Sequence, residues 1–187
     1  MSKSLPQPEL SGDRVALRAL EPTDLDWLLA LENDPAIWAV SNTLQPYSRH
    51  ALWRYLNAVD NDLRATGQLR LVVTRKSDGT PLGCVDLFDY NATHSRAELS
   101  VVILAEHRGT GYAAEAIEIV KRYAATWLDL NQLYIYVMTE NEAVIRLFAE
   151  HGFERAGVLR QWAKAGGEYH DVVVLQWFRH SLKNNEY

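Results

Sequence analysis

Residues 97–127, AELSVVILAEHRGTGYAAEAIEIVKRYAATW, carry two periodicities separated by a pair of glycines. Leu99 to Leu104 is a short apolar run rich in Val and Ile, with the length and composition of a buried strand. Glu106-His107-Arg108 then leads into Gly109-Thr110-Gly111. Beyond the glycines, Ala113, Ala116, Ile117, Val120, Ala124, Trp127 and Leu128 recur at helical spacing and share one face. The stretch reads as strand, glycine turn, helix. The first N–H groups of a helix have no intrahelical acceptor, and the helix dipole adds partial positive charge there. Glycines let a ligand approach those donors closely, so the turn is an anion-binding device suited to a pyrophosphate.

Three ligand classes use such a turn. A nucleotide P-loop is excluded, because no Gly-Lys-Ser/Thr follows at the required spacing. A dinucleotide fold fits loosely, since Gly109-Thr110-Gly111-Tyr112-Ala113-Ala114 satisfies G-x-G-x-x-A. The four residues between Leu104 and Gly109, and the mid-chain position, speak against it. The third class is coenzyme A. Arg108-Gly109-Thr110-Gly111-Tyr112-Ala113 matches every specified position of Gln/Arg-x-x-Gly-x-Gly/Ala. Here the sequence resembles the GNAT acetyltransferases, which carry that signature after their fourth strand.

The 187 residues are 48% apolar and 23% charged, ordinary for one globular domain spanning 1–187 with a core over 14–178. Its one cysteine, Cys84, can make no internal disulfide, and no Cys/His spacing suits zinc, so no metal is expected. The amino terminus has no apolar signal segment and no stretch is long enough to span a membrane, which points to a cytoplasmic protein without a membrane partner. A net charge of −5 argues against nucleic acid and mildly favours a cationic partner. A homo-oligomer, in the first place a dimer, is expected.

Alternation marks Arg14 to Leu20 as a first strand. Pro22-Thr23 opens a helix, with Thr23 and Asp26 spaced as a capping-box-like pair, and the helix ends near Asn33-Asp34-Pro35. Ala36 to Tyr47 reads as a loop, and Ser48 caps a second helix with Leu52, Tyr55, Leu56, Val59 and Leu63 on one face. Leu69 to Thr74 and Pro81 to Phe88 form a hairpin about Ser77-Asp78-Gly79, and Asp89 to Arg96 is a polar loop. After the glycine helix come a strand, Leu133 to Met138, a helix capped by Asn141 and stopped at Gly152, and two strands, Arg155 to Ala163 and Glu168 to Phe178, about Gly166-Gly167. The expected class is α+β: a mixed, mostly antiparallel seven-stranded sheet with one parallel crossover and helices on both faces.

That order is the GNAT order, and the resemblance covers about Arg14 to Phe178. Family members place Asn-x-x-(Ser/Ala)-x-x-x-Tyr-x-x-x-Gly-Phe after the fifth strand. Asn141, Gly152 and Phe153 match it at full spacing, with Val144 at the small position and Phe148 at the tyrosine. Val85-Asp86-Leu87 followed by Arg96-Ala97-Glu98 looks most like spermidine N-acetyltransferases and ribosomal-protein amino-terminal acetyltransferases. The resemblance implies an acetyl-coenzyme A-dependent N-acetyltransferase acting on a small-molecule or peptide amine by direct attack. It implies that Arg108, Gly109, Thr110, Gly111, Tyr112, Ala113 and Ala114 hold the pyrophosphate. It also implies that Val101, Val102 and Ile103 pair with the pantetheine arm like an added strand, that Asn141 touches that arm, and that Phe148 lies near the sulfur.

Glu98 is the candidate general base, since an alkylammonium of pKa about 10.4 must lose a proton before it attacks. Its alternative role is a strand-end glutamate, solvated or paired with Arg96. Asp86, Asp89 and Glu98, with Glu168 and Asp171, could form an acidic entrance for an amine; a solvated rim reads as well. Phe148 removes the phenol that family members use to protonate the leaving thiolate. Solvent protonation of coenzyme A is the favoured substitute, Tyr136 or Tyr112 is the alternative donor though each reads as well as packing, and a non-catalytic acyl-coenzyme A sensor is the second reading of function. Cys84 reads as a small core residue and His107 as a surface histidine. Spermidine enzymes carry an acidic pair after the first helix, whereas residues 39–44 hold no carboxylate.

Overall fold

The computed structural model describes residues 8–38, 45–58 and 62–180. Alternating runs become seven strands: β1 (Val15–Ala19), β2 (Leu69–Arg75), β3 (Pro81–Asn91), β4 (Arg96–Ile103), β5 (Gln132–Met138), β6 (Glu154–Ala165) and β7 (Glu168–Phe178). They form one sheet in the order β1-β2-β3-β4-β5-β7-β6. Every pairing is antiparallel except β4 with β5, so the expected α+β sheet with one parallel crossover is what the chain forms. The helices are α1 (Leu25–Glu32), α2 (Pro35–Trp38), α3 (Arg49–Ala58), α4 (Leu63–Thr66), α5 (Tyr112–Thr126) and α6 (Glu142–Glu150).

Several element boundaries differ from the expectation, each for a local reason. The capping box is Glu21 with Asp24, not Thr23 with Asp26: Asp24 accepts the Glu21 N–H at 2.9 Å and both Arg18 Nη groups at 2.7 and 2.8 Å. That bond network holds Pro22–Asp24 in a 3-10 turn ahead of α1. Ser48 caps α3 as expected, its Oγ accepting the Ala51 N–H at 3.1 Å. The helix does not run on to Leu63, because Asp62 caps a new turn there and Gly67 ends it at φ +70. Residues 39–44, in the expected loop, and Val59, on the expected helix face, lie outside the described residues. The polar loop after Phe88 is shorter than read, since β3 continues through a bulge to Asn91 and β4 begins at Arg96.

Packing assigns the two sheet faces. α5 lies on one, burying Ala116, Ile117, Ile119, Val120 and Ala124 against Val85, Leu99, Leu133 and Trp177. Each fully buried Val, Leu or Ile here stabilises the fold by roughly 1.5–3 kcal/mol. α6 joins the same face through Lys121, which is buried yet fully engaged. It donates to Glu118 Oε1 at 2.8 Å and to the His151 carbonyl at 2.7 Å, and its Nζ lies 5.5 Å from the Trp177 ring centroid. On the opposite face α1, α2 and α3 pack Leu28, Leu31, Ile37, Leu52 and Leu56 over Cys84.

Candidate active site

β4 has eight residues and β5 seven, yet their parallel ladder holds three pairs: Arg96↔Gln132, Ala97↔Leu133 and Glu98↔Tyr134. Past Glu98 the two strands separate. β4 stays paired with β3 on its other side through Val101↔Val85, Val102↔Cys84 and Ile103↔Gly83. A Cβ on Gly83 would lie 1.9 Å from the Val102 carbonyl oxygen, so only glycine lets β3 hold β4 this close. The β5-facing edge of Ser100 to Ile103 is thus an open backbone edge in the middle of a sheet, and Val101 and Val102 remain half-exposed there. An extended amide chain is the natural partner for such an edge. This is the feature the pantetheine expectation for Val101, Val102 and Ile103 requires.

The gap leads to the glycine turn. Gly109 and Gly111 have φ of +74 and +85, and Gly111 is the N-cap residue of α5. Among the described residues, the backbone N–H groups from Gly109 to Ala114 have no backbone acceptor. With the fifteen-residue α5 behind them they form an anion site, and the donor set fits a pyrophosphate. Two supports shape the turn from within. Thr110 Oγ1 donates to the His107 carbonyl at 2.6 Å, and Arg108 Nε donates to the Ile103 carbonyl at 2.8 Å, tying the turn to the end of β4.

Arg14 is a third support that the linear sequence does not point to. Its Nη1 donates to the Thr110 carbonyl at 3.0 Å, and its guanidinium lies 5.2 Å from the Tyr112 ring centroid. Burial alone would raise the Glu115 carboxyl. The backbone N–H groups of Arg14 and Val15, at 2.7 and 3.1 Å, together with the Arg14 guanidinium, instead hold it below the usual range.

Residues opposite one another in register point to one face. Glu98 faces Phe88 on β3 and Tyr134 on β5; Ser100 faces Asp86; Val102 faces Cys84. All lie on the face that carries α1 and α3, away from α5. Glu98 is half-buried, and burial followed by the negative charge of Asp89 raises its carboxyl above the ordinary glutamate range. Tyr134 donates to Asp89 Oδ2 at 2.6 Å, and its ring meets Tyr136 edge-on with centroids 5.7 Å apart. Two carboxylates, Asp89 and the raised-pKa Glu98, and the Tyr134 phenol thus meet at the closed end of the gap.

Asp86 is a correction. It is 4% exposed, accepts Arg70 Nε at 2.5 Å, and takes the Cys84 thiol at 3.5 Å; Arg70 also pairs with Glu32. Its charge is shared with Arg70, so it meets the neighbouring cavity as half of an ion pair rather than as the free acid the sequence suggests. Burial pushes the Cys84 thiol well up, which removes it as a nucleophile and agrees with its reading as core. Glu168 and Asp171 also fall away from Glu98. The Glu98 row continues to Gln176 on β7, and Glu168 lies eight residues back along that strand, roughly 27 Å. Beside Asp86 lies a cavity of about 490 Å³ that sequence reasoning missed, walled by Glu32, Tyr47, Tyr55, Arg70, Asp86 and Phe88.

Phe148 is a second correction. It is 2% exposed, sits in the core on the α5 face, and packs edge-on to Phe153 with centroids 4.9 Å apart. A ring so enclosed presents no surface toward a sulfur. Phe148→Tyr is therefore expected to lower the unfolding free energy by about 1–3 kcal/mol, the cost of burying an unpaired hydroxyl. Urea denaturation reads this; an unchanged midpoint would show that the hydroxyl finds a polar partner in the gap. Asn141 is the N-cap of α6, its Oδ1 accepting the Val144 N–H at 3.3 Å, so one side of its amide is already engaged.

Comparison with known proteins bears on this geometry. Residues 14–154 match the family model described as an acetyltransferase (GNAT) domain. The chain is 31% identical over 170 residues to the spermidine N(1)-acetyltransferase of Escherichia coli K12, covering 91% of this chain and 89% of that protein. It is 30% identical over 161 residues to the Vibrio cholerae enzyme of the same name, covering 86% and 91%. The crystal structure of spermidine N-acetyltransferase from Vibrio cholerae in complex with CoA and spermine superposes with a TM-score of 0.78. It is 30% identical and covers 89% of this chain and 96% of that one. An opened parallel pair running into a glycine turn, and a family match over three-quarters of the residues, agree: this chain belongs to the GNAT acetyltransferases.

Proposed function

We propose that this acetyltransferase acts on a cationic primary amine of the polyamine type, with the whole chain as one acetyltransferase domain working in the cytoplasm as a homodimer. The observation that carries the reading is the closed end of the β4–β5 gap. There the half-buried Glu98 and the exposed Asp89 face the same space, with no cation bonded to either among the described residues. Exposed aromatics on the outermost hairpin, Trp162 at 63% and Tyr169 at 64%, support self-association, which light scattering reads. No described helix is long and apolar enough to cross a membrane.

Acetyl-coenzyme A is the acyl donor and supplies an activated acyl carbon with a thiolate leaving group. The glycine turn holds its pyrophosphate, and the open edge of Val101 to Ile103 takes its amide arm. From Ile103 back to Glu98 is five residues, roughly 17 Å of strand, which sets the acyl group near Glu98 when the arm runs along β4. An ammonium entering from the α1/α3 face meets Asp89 and Glu98. Glu98 takes its proton, directly or through water, the neutral nitrogen bonds to the acyl carbon, and the C–S bond breaks to release the thiolate while the surplus proton on nitrogen passes to solvent. A base of raised pKa lies closer to the operating pH and so takes the proton at lower cost. No side chain is needed to protonate the departing thiolate, because a thiol of pKa about 8.5 leaves readily as its anion.

The test is thiol release from acetyl-coenzyme A by the purified chain with spermidine, spermine, butylamine and a peptide with a free amino terminus. Turnover is expected to be fastest with the polyamines. Tight acetyl-coenzyme A binding with no turnover of any amine would favour the sensor reading.

A further inference from the structure

Asp89 interrupts β3 with a backbone conformation foreign to a strand. Its φ is +44, in the left-handed region. It sits in a bulge where the β3–β4 register passes from Phe88↔Glu98 directly to Asn91↔Arg96. In a regular strand Asp89 would point away from the face of Phe88, into the core beneath α5. The bulge re-aims it. Its carboxylate instead reaches the Tyr134 phenol at 2.6 Å. Phe88, Glu98 and Tyr134 form one row across β3, β4 and β5, so this bond passes over the central strand at Glu98, spanning two strand spacings, roughly 10 Å.

We propose that Tyr134 is a positioning residue: its phenol fixes Asp89 beside Glu98, making the two carboxylates a single two-point receptor for the reacting ammonium. The inference rests on the reading of Glu98 as the base. Tyr134 is 7% exposed and its phenol stays protonated, since burial and the bond to Asp89 raise its pKa. It therefore acts as a donor throughout the working pH range. The titratable groups the structure places against Glu98 are Asp89 from the β3 bulge and Tyr134 from β5; Tyr136 meets Tyr134 edge-on, and Arg96 stands two residues back on the same strand as Glu98. Among the described residues Glu98 makes no ion pair, with Arg96 or any other cation. Asp89 is thus the charge that Glu98 senses, and Tyr134 decides where that charge stands.

The experiment is a double-mutant cycle with spermidine as acceptor, reading kcat and KM against pH. Asp89→Asn keeps an acceptor for the phenol but removes the charge, and Tyr134→Phe keeps the ring but frees Asp89. Asp89→Asn is expected to raise the spermidine KM about tenfold with kcat changed little, and to move the acid limb of kcat/KM to lower pH. Tyr134→Phe moves both quantities in the same direction by a smaller factor, and the double variant is no worse than Asp89→Asn alone. A Tyr134→Phe effect that persists in full when added to Asp89→Asn would overturn the proposal. So would a Tyr134→Phe variant with unchanged KM and acid limb, or wild-type protein that neither binds nor acetylates spermidine. Glu98→Gln, assayed in parallel, separates the two claims: full activity there removes the base assignment, whereas the cycle decides the role of Tyr134.

Discussion

Gly111→Glu is expected to abolish coenzyme A binding. The residue is the N-cap of α5, so a side chain there stands beside the free N–H groups of the turn. A carboxylate about 4 Å from a phosphate, at an effective dielectric of about 20, is repelled by about 4 kcal/mol. That is roughly a thousandfold in Kd. Backbone strain contributes as well, because φ of +85 suits glycine and costs another residue roughly 1–2 kcal/mol. A Cβ there would lie 2.9 Å from Arg14 Nη2, the far end of an exposed side chain that can move aside. Gly111→Ala carries the strain without the charge, so calorimetry on both variants separates the two effects. Unchanged affinity in Gly111→Glu would remove the turn from the cofactor site.

Glu98→Gln is expected to lower turnover by roughly 10²–10⁴-fold, the usual contribution of a positioned base. It is also expected to make the protein more stable at neutral pH. Burial and Asp89 raise the folded-state pKa of Glu98 above its unfolded value. The folded protein therefore binds this proton more tightly than the unfolded chain does. The stability so contributed is complete below the unfolded pKa, about 4.3, and is lost as pH rises through the folded pKa. At pH 7 the ionised carboxylate is a burden on the fold, and glutamine removes it. Thermal melts should show the variant above wild type at pH 7, with the difference shrinking toward pH 4. Wild-type activity should fall with acid along a limb lying above the ordinary glutamate range. A variant that is equally active would lose Glu98 its role as base, and one less stable at pH 7 would show that its charge is paired.

The crossover from β4 through α5 to β5 was legible because its signals are local. A β-rich run, two glycines and a 3.6-residue period follow one another within about thirty residues, and each needs only its neighbours to be read. The Asn141 cap and the Gly152 stop were legible for the same reason. What the sequence concealed is long-range. Tyr134 meets Asp89 across 45 residues, Arg14 meets Thr110 across 96, and Arg70 gathers Glu32 and Asp86 from two other elements. Asp86 looked like an available acid because the guanidinium that neutralises it lies sixteen residues away, on a neighbouring strand. Phe148 was ambiguous in kind: an apolar position on an amphipathic helix faces the core or a cofactor with the same pattern, and only packing decides.

The three-pair ladder between β4 and β5 also bears on how the chain reaches its fold. It divides the sheet into a four-stranded part, residues 15–103, and a three-stranded part, residues 132–178, each continuous in sequence. Every other strand pairing closes within one part, so a 3-10 turn at Ala105–His107 followed by α5 carries the chain from one to the other. The partners β2–β3, β3–β4 and β6–β7 are neighbours along the chain, and their contacts come at little loop-closure cost. β1 with β2 and β5 with β7 join more distant stretches inside each part, and the docking of the two parts beneath α5, where Ile117, Ile119 and Val120 are fully enclosed, joins the parts themselves. The seam at which the two parts come together is therefore also the place proposed above for acyl transfer.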